Sequence, residues 1–275
     1  MQIWLSMFVP LAIVLFAVGC HARLGKMRFA RRSTGLAIAF RLQKLLSLIQ
    51  KHRGISYRVL KGDDLAATRL PPLQTEIGAT INSLASMISF PSEQQHWNEI
   101  EKHWLRLKPR NLELDARNNF DQHCRLVASL LTLTEDIFES CYLSELTDAT
   151  RERAWYKVLL TAEWIGQVRA LGSGALVTKS LWGADKGRLQ SLSRQLHKAG
   201  IELHALGVDN TMMLDLLQVV DLQISLEHFE SHTAESFFAM ATEAMLPMMR
   251  EYERYMEELA ASMGKIAFQQ VAPRR

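Results

Sequence analysis

Apolar residues recur at intervals of three and four along residues 42–60, which is the spacing of one face of an α-helix. One position on that face breaks the pattern, because Arg53 stands where an apolar side chain is expected. Residues 158–176 repeat the arrangement, with Arg169 at the matching position. The two stripes are Leu42, Leu46, Ile49, Arg53, Ser56 and Leu60, and Val158, Ala162, Ile165, Arg169, Gly172 and Leu176. We therefore predict two arginines that point into the interior of the protein.

The remainder of the chain also follows a helical period. We find no regular alternation of apolar and polar residues and no Asn-Gly hairpin signal, while the 12 methionines and the frequent leucines and alanines favour helix. Short connections between the predicted helices are typical of antiparallel bundles. The sequence therefore predicts an all-α fold of antiparallel helical bundles. Because the arginine pattern repeats, we expect two related halves that divide near residue 150.

The first 21 residues are the most apolar part of the chain. Residues 3–20 carry no charge, and a length of roughly 18 residues is just enough for a helix that spans a bilayer. A basic cluster follows without an acidic residue: Arg23, Lys26, Arg28, Arg31 and Arg32. Since positive charge favours the cytoplasmic side, we predict a single-pass protein of the bacterial inner membrane with its helical domain in the cytoplasm. A lipoprotein processing site ending at Cys20 is the weaker alternative.

These segments divide the chain into four predicted parts. Residues 1–21 form a transmembrane helix, and residues 22–35 form a basic juxtamembrane segment. Residues 36–264 form the all-helical domain. Residues 265–275 form a loose tail.

The distribution of charge argues against a nucleic-acid partner. The net charge of +3 comes from the basic cluster, because removing its five residues from the 32 Lys and Arg leaves 27, against 29 Asp and Glu. The body of the protein is therefore close to neutral. A nucleic-acid-binding domain normally carries a basic face, so we predict no nucleic-acid partner.

The sequence also lacks the motifs of common enzymes. It contains no H-E-x-x-H motif, no P-loop, no dinucleotide-binding glycine motif after a strand and no nucleophile elbow. Two histidine pairs, His96 with His103 and His228 with His232, have no accompanying carboxylate pattern that would specify a zinc site. The three cysteines form no metal-ligand pair. We predict that the protein is not an enzyme and binds no metal or cofactor.

The two inward arginines are the strongest candidates for binding chemistry. An unpaired buried charge is unfavourable and must be compensated. A guanidinium presents a flat fork of donors that can grip two oxygens of a planar oxyanion, and glycines beside it let helices or a ligand approach closely. The candidate ligand-binding residues are Arg53, Arg169, Gly54 and Gly172. Internal salt bridges, for instance with Asp221 or Asp136, would compensate the charges equally well, and the pattern leaves both possibilities open.

The segments around the two arginines carry a family resemblance. Residues 50–56 read Gln-Lys-His-Arg-Gly-Ile-Ser, and residues 163–172 read Glu-Trp-Ile-Gly-Gln-Val-Arg-Ala-Leu-Gly. They resemble segments of the bacterial nitrate- and nitrite-sensing domain, which has a Q-x-x-R-G-x-S-like segment in an early helix and a second arginine segment in a later one. The resemblance extends over about residues 36–260. It implies a helical-bundle sensor in which Arg53 and Arg169 contact nitrate or nitrite.

The resemblance also bears on signalling. Members of that family attach the sensing domain to an output module such as a histidine kinase or an RNA-binding antiterminator, whereas this chain ends after the sensor. We therefore expect a membrane-anchored sensor that binds nitrate or nitrite between helices and signals, by altered bundle packing, to a separate unknown signalling protein. A homodimer stays open. The alternative is a membrane-tethered helical interaction scaffold without a ligand, whose arginines are held by internal carboxylates.

Overall fold

The computed structural model describes residues 2–146, 153–226, 229 and 232–271, with side chains from residue 16 to residue 264. Within these ranges every regular element is a helix, so the predicted all-α fold is confirmed. The α-helices are α1 (Gln2–Leu60), α2 (Leu70–Ala85), α3 (Pro91–Arg110), α4 (Ala116–Ser140), α5 (Ala154–Thr178), α6 (Gly183–Ala205), α7 (Thr211–Leu226) and α8 (Ala234–Val271). Short 3-10 helices occupy Asp64–Arg69 and Ser144–Leu146. The relation between two halves stays a prediction.

Several helix ends lie where the sequence provides a start or stop signal. After α1 ends at Leu60, Gly62 has a φ of +106°, a conformation that glycine adopts without steric cost. Proline occupies the first turn of α2, where its fixed φ suits a helix and its missing N–H is not needed. At the start of α4, the carboxylate of Asp115 accepts a hydrogen bond of 2.9 Å from the backbone N–H of Asn118. Local chemistry therefore determines these boundaries.

The helix α5 lies at the centre of the molecule. It packs against α1, α6 and α8, and it is buried on nearly every side, including its polar residues Glu163 and Arg169. The segment of α1 from residue 45 to residue 57 is also largely buried and contains Arg53. The polar groups of α1 and α5 therefore meet in the buried interior, where electrostatic interactions are stronger than in water.

The prediction of a transmembrane helix over residues 1–21 is wrong. Within the part of the chain that the structure describes, no helix is long and apolar enough to cross a membrane. The predicted span of roughly 18 uncharged residues was at the lower limit for a bilayer helix. It belongs to α1, which has 59 residues and continues without a break through the basic cluster. The single-pass inner-membrane location inferred from it is therefore wrong as well, and the cytoplasmic placement of the helical domain loses its basis.

The predicted domain boundaries fall inside helices. Those after residues 21 and 35 both lie within α1, and the one after residue 264 lies within α8, whose backbone is helical to Val271. The division into four parts stays a prediction. Residues 272–275 lie outside the described part of the chain.

Candidate functional site

Arg53 is fully buried and forms a bidentate salt bridge with Glu163 of α5. Its Nη1 lies 2.5 Å from Oε1 of the carboxylate, and its Nη2 lies 3.1 Å from Oε2. Burial by itself would lower the pKa of Arg53, but the negative charge of Glu163 and a smaller contribution from Cys124 raise it above its ordinary value. Arg53 is therefore charged, and its charge is compensated within the protein.

The Glu163 carboxylate is held by further donors. Gln50 donates to Oε2 over 2.9 Å, and Gln167 donates to Oε1 over 2.8 Å. Space for this arrangement comes from Gly166 on α5, where an added Cβ would lie 3.0 Å from Nη2 of Arg53. With two amides and a guanidinium on its oxygens, this carboxylate has a fixed position.

Arg169 is buried as well, with 3% of its surface exposed, but no carboxylate among the described residues pairs with it. Its Nη1 donates to the hydroxyl of Thr242 on α8 over 3.0 Å, and its guanidinium lies 4.7 Å above the ring of Phe238. Its Nε and Nη2 have no hydrogen-bond partner among the described residues. Burial and, to a smaller extent, the positive charge of Arg53 lower the pKa of Arg169 to about 9, although the negative charge of Glu163 partly opposes them. Arg169 thus carries an uncompensated buried charge.

The two candidate glycines allow α8 to approach α1 and α5. A Cβ added to Gly54 would lie 2.7 Å from Cε2 of Phe238, and one added to Gly172 would lie 2.4 Å from the ring of Phe237. Real Cβ atoms do not come so close to a ring carbon, so these contacts require glycine. Of the two explanations that the sequence allowed, the structure supports close helix packing.

Gln223 of α7 is a polar group that the sequence analysis missed. Its side chain is 1% exposed, and neither its amide nitrogen nor its amide oxygen has a hydrogen-bond partner within the described residues. A Cβ added to Gly172 would lie 3.3 Å from its Oε1. Gln223 therefore faces α5 one turn beyond Arg169. Its position three residues after the buried Val220 is the signal that could have identified it.

A buried histidine pair beside Arg53 was also missed. His52 Nδ1 and His123 Nε2 lie 2.8 Å apart, and His123 Nδ1 lies 2.8 Å from the carbonyl oxygen of Asn119. Because a carbonyl only accepts, His123 donates through Nδ1 and accepts from His52 through Nε2. His52 Nε2 can then accept from Gln74 over 3.2 Å. Burial lowers the pKa of His52 to about 4 and that of His123 well below its ordinary value, so both rings are neutral.

The aspartates proposed as internal partners contact other groups. Asp221 accepts one hydrogen bond of 2.7 Å from Ser193 and lies 3.1 Å from His197, while Asp136 lies 2.9 Å from His96. Of the internal partners that the sequence left open, these two aspartates therefore do not pair with an inward arginine in the described part of the chain. The carboxylate that meets Arg53 is Glu163, because it lies on the buried side of α5, six residues before Arg169.

Comparison of the sequence with known proteins finds no match, whereas comparison of the fold with solved structures finds one. No family model matches the sequence, and no curated protein matches it. The structure of the NasR transcription antiterminator does match the fold, with a TM-score of 0.68 and 18% sequence identity. The match covers 93% of this chain and 77% of that chain. At this level of identity the likeness shows a shared fold.

Metal-ligating groups do not converge in the described part of the molecule. No group of three or more His, Cys, Asp or Glu side chains there could hold a metal ion. His96 contacts Asp136, His103 contacts Gln122, and His228 lies outside the described residues. The polar groups that contact Arg53 and Arg169 in this part of the chain are instead Glu163, Cys124 and Thr242.

Proposed function

We propose that this protein binds one small monovalent oxyanion, nitrate or nitrite, at Arg169. The observation that carries the proposal is the unpaired edge of a buried guanidinium, because Nε and Nη2 both lack a partner among the described residues. These two nitrogens lie side by side on one edge of the group. From there they can donate to two oxygens of the same planar anion.

The charge balance of the interior supports a monovalent ligand. Arg53 and Arg169 contribute two positive charges and Glu163 contributes one negative charge, so the buried set has a net charge of +1. One nitrate or nitrite ion would neutralise it. A divalent anion such as sulfate would leave an excess negative charge in the buried interior, which is unfavourable. We therefore expect selectivity against sulfate.

The altered pKa of Arg169 supports the same ligand. Burial and the nearby charge of Arg53 disfavour the protonated guanidinium. An anion on its free edge would favour the charged form and raise the pKa toward its ordinary value. Binding would thereby relieve a destabilising interaction that is built into the fold.

The role as a sensor rests on two kinds of similarity. The segments that carry Arg53 and Arg169 resemble those of the nitrate- and nitrite-sensing family. The matched structure is a transcription antiterminator, and an antiterminator is one of the output modules that this resemblance implies. We propose that the ligand signals to a separate partner protein and that the chain performs no catalysis. Since Arg169 joins α5 to Thr242 of α8, a ligand that prefers one packing of these helices would shift the population toward it.

The scaffold alternative is favoured by one observation only. Arg53 and Glu163 form the internal salt bridge that it requires, but Arg169 has no such partner among the residues that the structure describes. The two proposed functions assign different roles to Arg169. A scaffold uses this side chain for stability, whereas a sensor keeps an unfavourable charge in order to bind.

Isothermal titration calorimetry and thermal unfolding of the full chain and of Arg169→Met test the proposal. We expect millimolar or tighter binding of nitrate or nitrite, weak or no binding of sulfate, and loss of binding in the variant. Because the substitution removes an uncompensated buried charge, the variant without added anion should be at least as stable as the wild type. Arg194→Met, which changes an exposed arginine of α6, is the control and should bind normally.

Two outcomes would contradict the sensor. One is a wild-type chain that binds neither anion at millimolar concentration. The other is an Arg169→Met variant that binds as tightly as the wild type. A variant that loses stability, in a wild-type background that nitrate does not stabilise, would favour the scaffold.

A further inference from the structure

A groove on the surface between α3 and α4 collects positive charge. It encloses about 480 Å³ and is independent of the buried site. Its polar lining consists of His103, Arg106, Arg110, Gln122, Arg125 and Ser129. The first three follow one another at intervals of three and four on α3, and the last three do so on α4, so one face of each helix borders the groove.

The cations of the groove are poorly compensated. Within the described residues Arg106 and Arg125 form no ion pair, and Arg110 has only a loose contact of 3.7 Å with the exposed Glu113. No carboxylate lines the groove among those residues. Burial lowers the pKa of His103, and a hydrogen bond with Gln122 only partly opposes this effect. The positive charges of Arg106 and Arg125 also lower the pKa. The groove therefore has a positive potential that an anion would relieve.

The side chains that line the groove are suited to binding phosphate groups. Three guanidinium groups offer many donors to the oxygens of phosphates, with which arginine forms paired hydrogen bonds. Leu107 and Leu114 supply an apolar wall beside them. A volume of about 480 Å³ lies within the range of about 300–1,000 Å³ that is typical of small-molecule sites.

The surroundings of the groove argue for a small molecule over a nucleic acid. Residues 91–140, which form α3 and α4 and their connection, contain six Lys and Arg against nine Asp and Glu. A nucleic-acid surface needs a basic stripe that extends along the protein. Such a stripe is not expected on α3 and α4, because acidic residues outnumber basic ones there. We propose that the groove between α3 and α4 binds a small phosphorylated molecule with two or more linked phosphates, through Arg106, Arg110 and Arg125.

Isothermal titration calorimetry of the full chain with pyrophosphate, and separately with ADP, tests the proposal. We expect saturable binding of one molecule per chain, and about tenfold weaker binding for Arg106→Gln and for Arg125→Gln because each removes a charge-assisted contact. Arg194→Gln is the matched control, since Arg194 is also an exposed helical arginine without an ion pair in the described part of the chain. It should bind like the wild type. Tighter binding of ADP than of pyrophosphate would place the base on the apolar wall.

Three results would overturn the proposal. The first is the absence of saturable binding with either compound. The second is equal weakening in all three variants, which would indicate general attraction to a positive surface. The third is an RNA oligonucleotide that binds with the same dependence on Arg106 and Arg125 while pyrophosphate does not bind. Nitrate affinity should be unchanged in these variants, so this test is independent of the proposal for Arg169.

Discussion

Arg53 and Arg169 are both buried, yet within the described part of the chain only Arg53 has a carboxylate partner. The pair between Arg53 and Glu163 compensates both charges, and Gln50 and Gln167 saturate the carboxylate. Arg169 has a hydroxyl and an aromatic ring as neighbours. At the scale of the residue, Glu163 therefore has two roles: it neutralises Arg53, and it keeps the net charge of the set Arg53, Glu163 and Arg169 at +1.

Glu163→Gln should separate these two roles. The substitution leaves Arg53 without its counter-ion, and breaking a buried pair in this way costs about 3–5 kcal/mol of stability. It also raises the charge of the interior to +2, so nitrate should stabilise the variant more than it stabilises the wild type. Urea unfolding with and without nitrate measures both effects. Glu202→Gln, which removes half of an exposed ion pair with Lys157, is the control and should change stability by less than about 0.5 kcal/mol. A Glu163→Gln variant as stable as the wild type would contradict the assigned role.

The packing of α8 against α5 and α1 depends on glycine at two positions, Gly172 and Gly54. Phe237 and Phe238 are neighbours on α8, and each lies against a glycine, Gly172 of α5 and Gly54 of α1. Phe238 also lies beneath the guanidinium of Arg169. At the scale of the element, the glycines therefore determine how closely α8 covers the candidate anion site.

Two glycine substitutions should have effects of opposite sign. Gly172→Ala places a Cβ 2.4 Å from the ring of Phe237, and such overpacking should destabilise the protein by about 1–3 kcal/mol. Gly78→Ala on α2 meets no atom within 4 Å and should stabilise it by about 0.5–1 kcal/mol, because alanine is the better helix former. Urea unfolding of both variants checks the prediction. Equal effects would show that α8 does not rest on Gly172.

The histidine pair links three helices and makes the stability of the whole molecule depend on pH. His52 lies on α1, His123 on α4, and Gln74 on α2 completes the chain of hydrogen bonds. Both histidines have lowered pKa values in the folded protein. The unfolded chain therefore binds more protons than the folded one once the pH falls below about 6.5. Stability from the neutral pair is complete above that pH and decreases as the pH falls toward 4.

Urea unfolding at pH 7 and pH 5 measures this linkage. From the change of the His52 pKa to about 4, we expect the unfolding free energy to be about 2 kcal/mol lower at pH 5 than at pH 7, with a further decrease from His123. His52→Gln should be less stable at pH 7 and should show a weaker dependence on pH. His204→Gln, at an exposed position near the end of α6, should keep the wild-type dependence. A His52→Gln variant with an unchanged pH dependence would refute the assignment.

The prediction of a transmembrane helix was wrong because it considered a short segment apart from the helix that contains it. It treated residues 3–20 as a separate element because they carry no charge. In the molecule they are the beginning of a helix of 59 residues, and no described helix meets the length and apolar character of a membrane span. An uncharged segment of about 18 residues, the minimum length for a bilayer helix, does not by itself show that the segment lies in a membrane.

The sequence by itself determined the helical class, the helix ends at Gly62, at the start of α2 and at the start of α4, and the inward direction of Arg53 and Arg169. These features depend on residues three or four apart or on local capping, so the necessary information is contained in short segments. Only the tertiary structure decided which arginine is compensated. Glu163 is 110 residues from Arg53 in the chain, and Phe237 and Phe238 reach their glycines from a different helix. Because such contacts depend on how α1, α5 and α8 pack, the difference between a neutralised Arg53 and an uncompensated Arg169 is a property of the folded molecule.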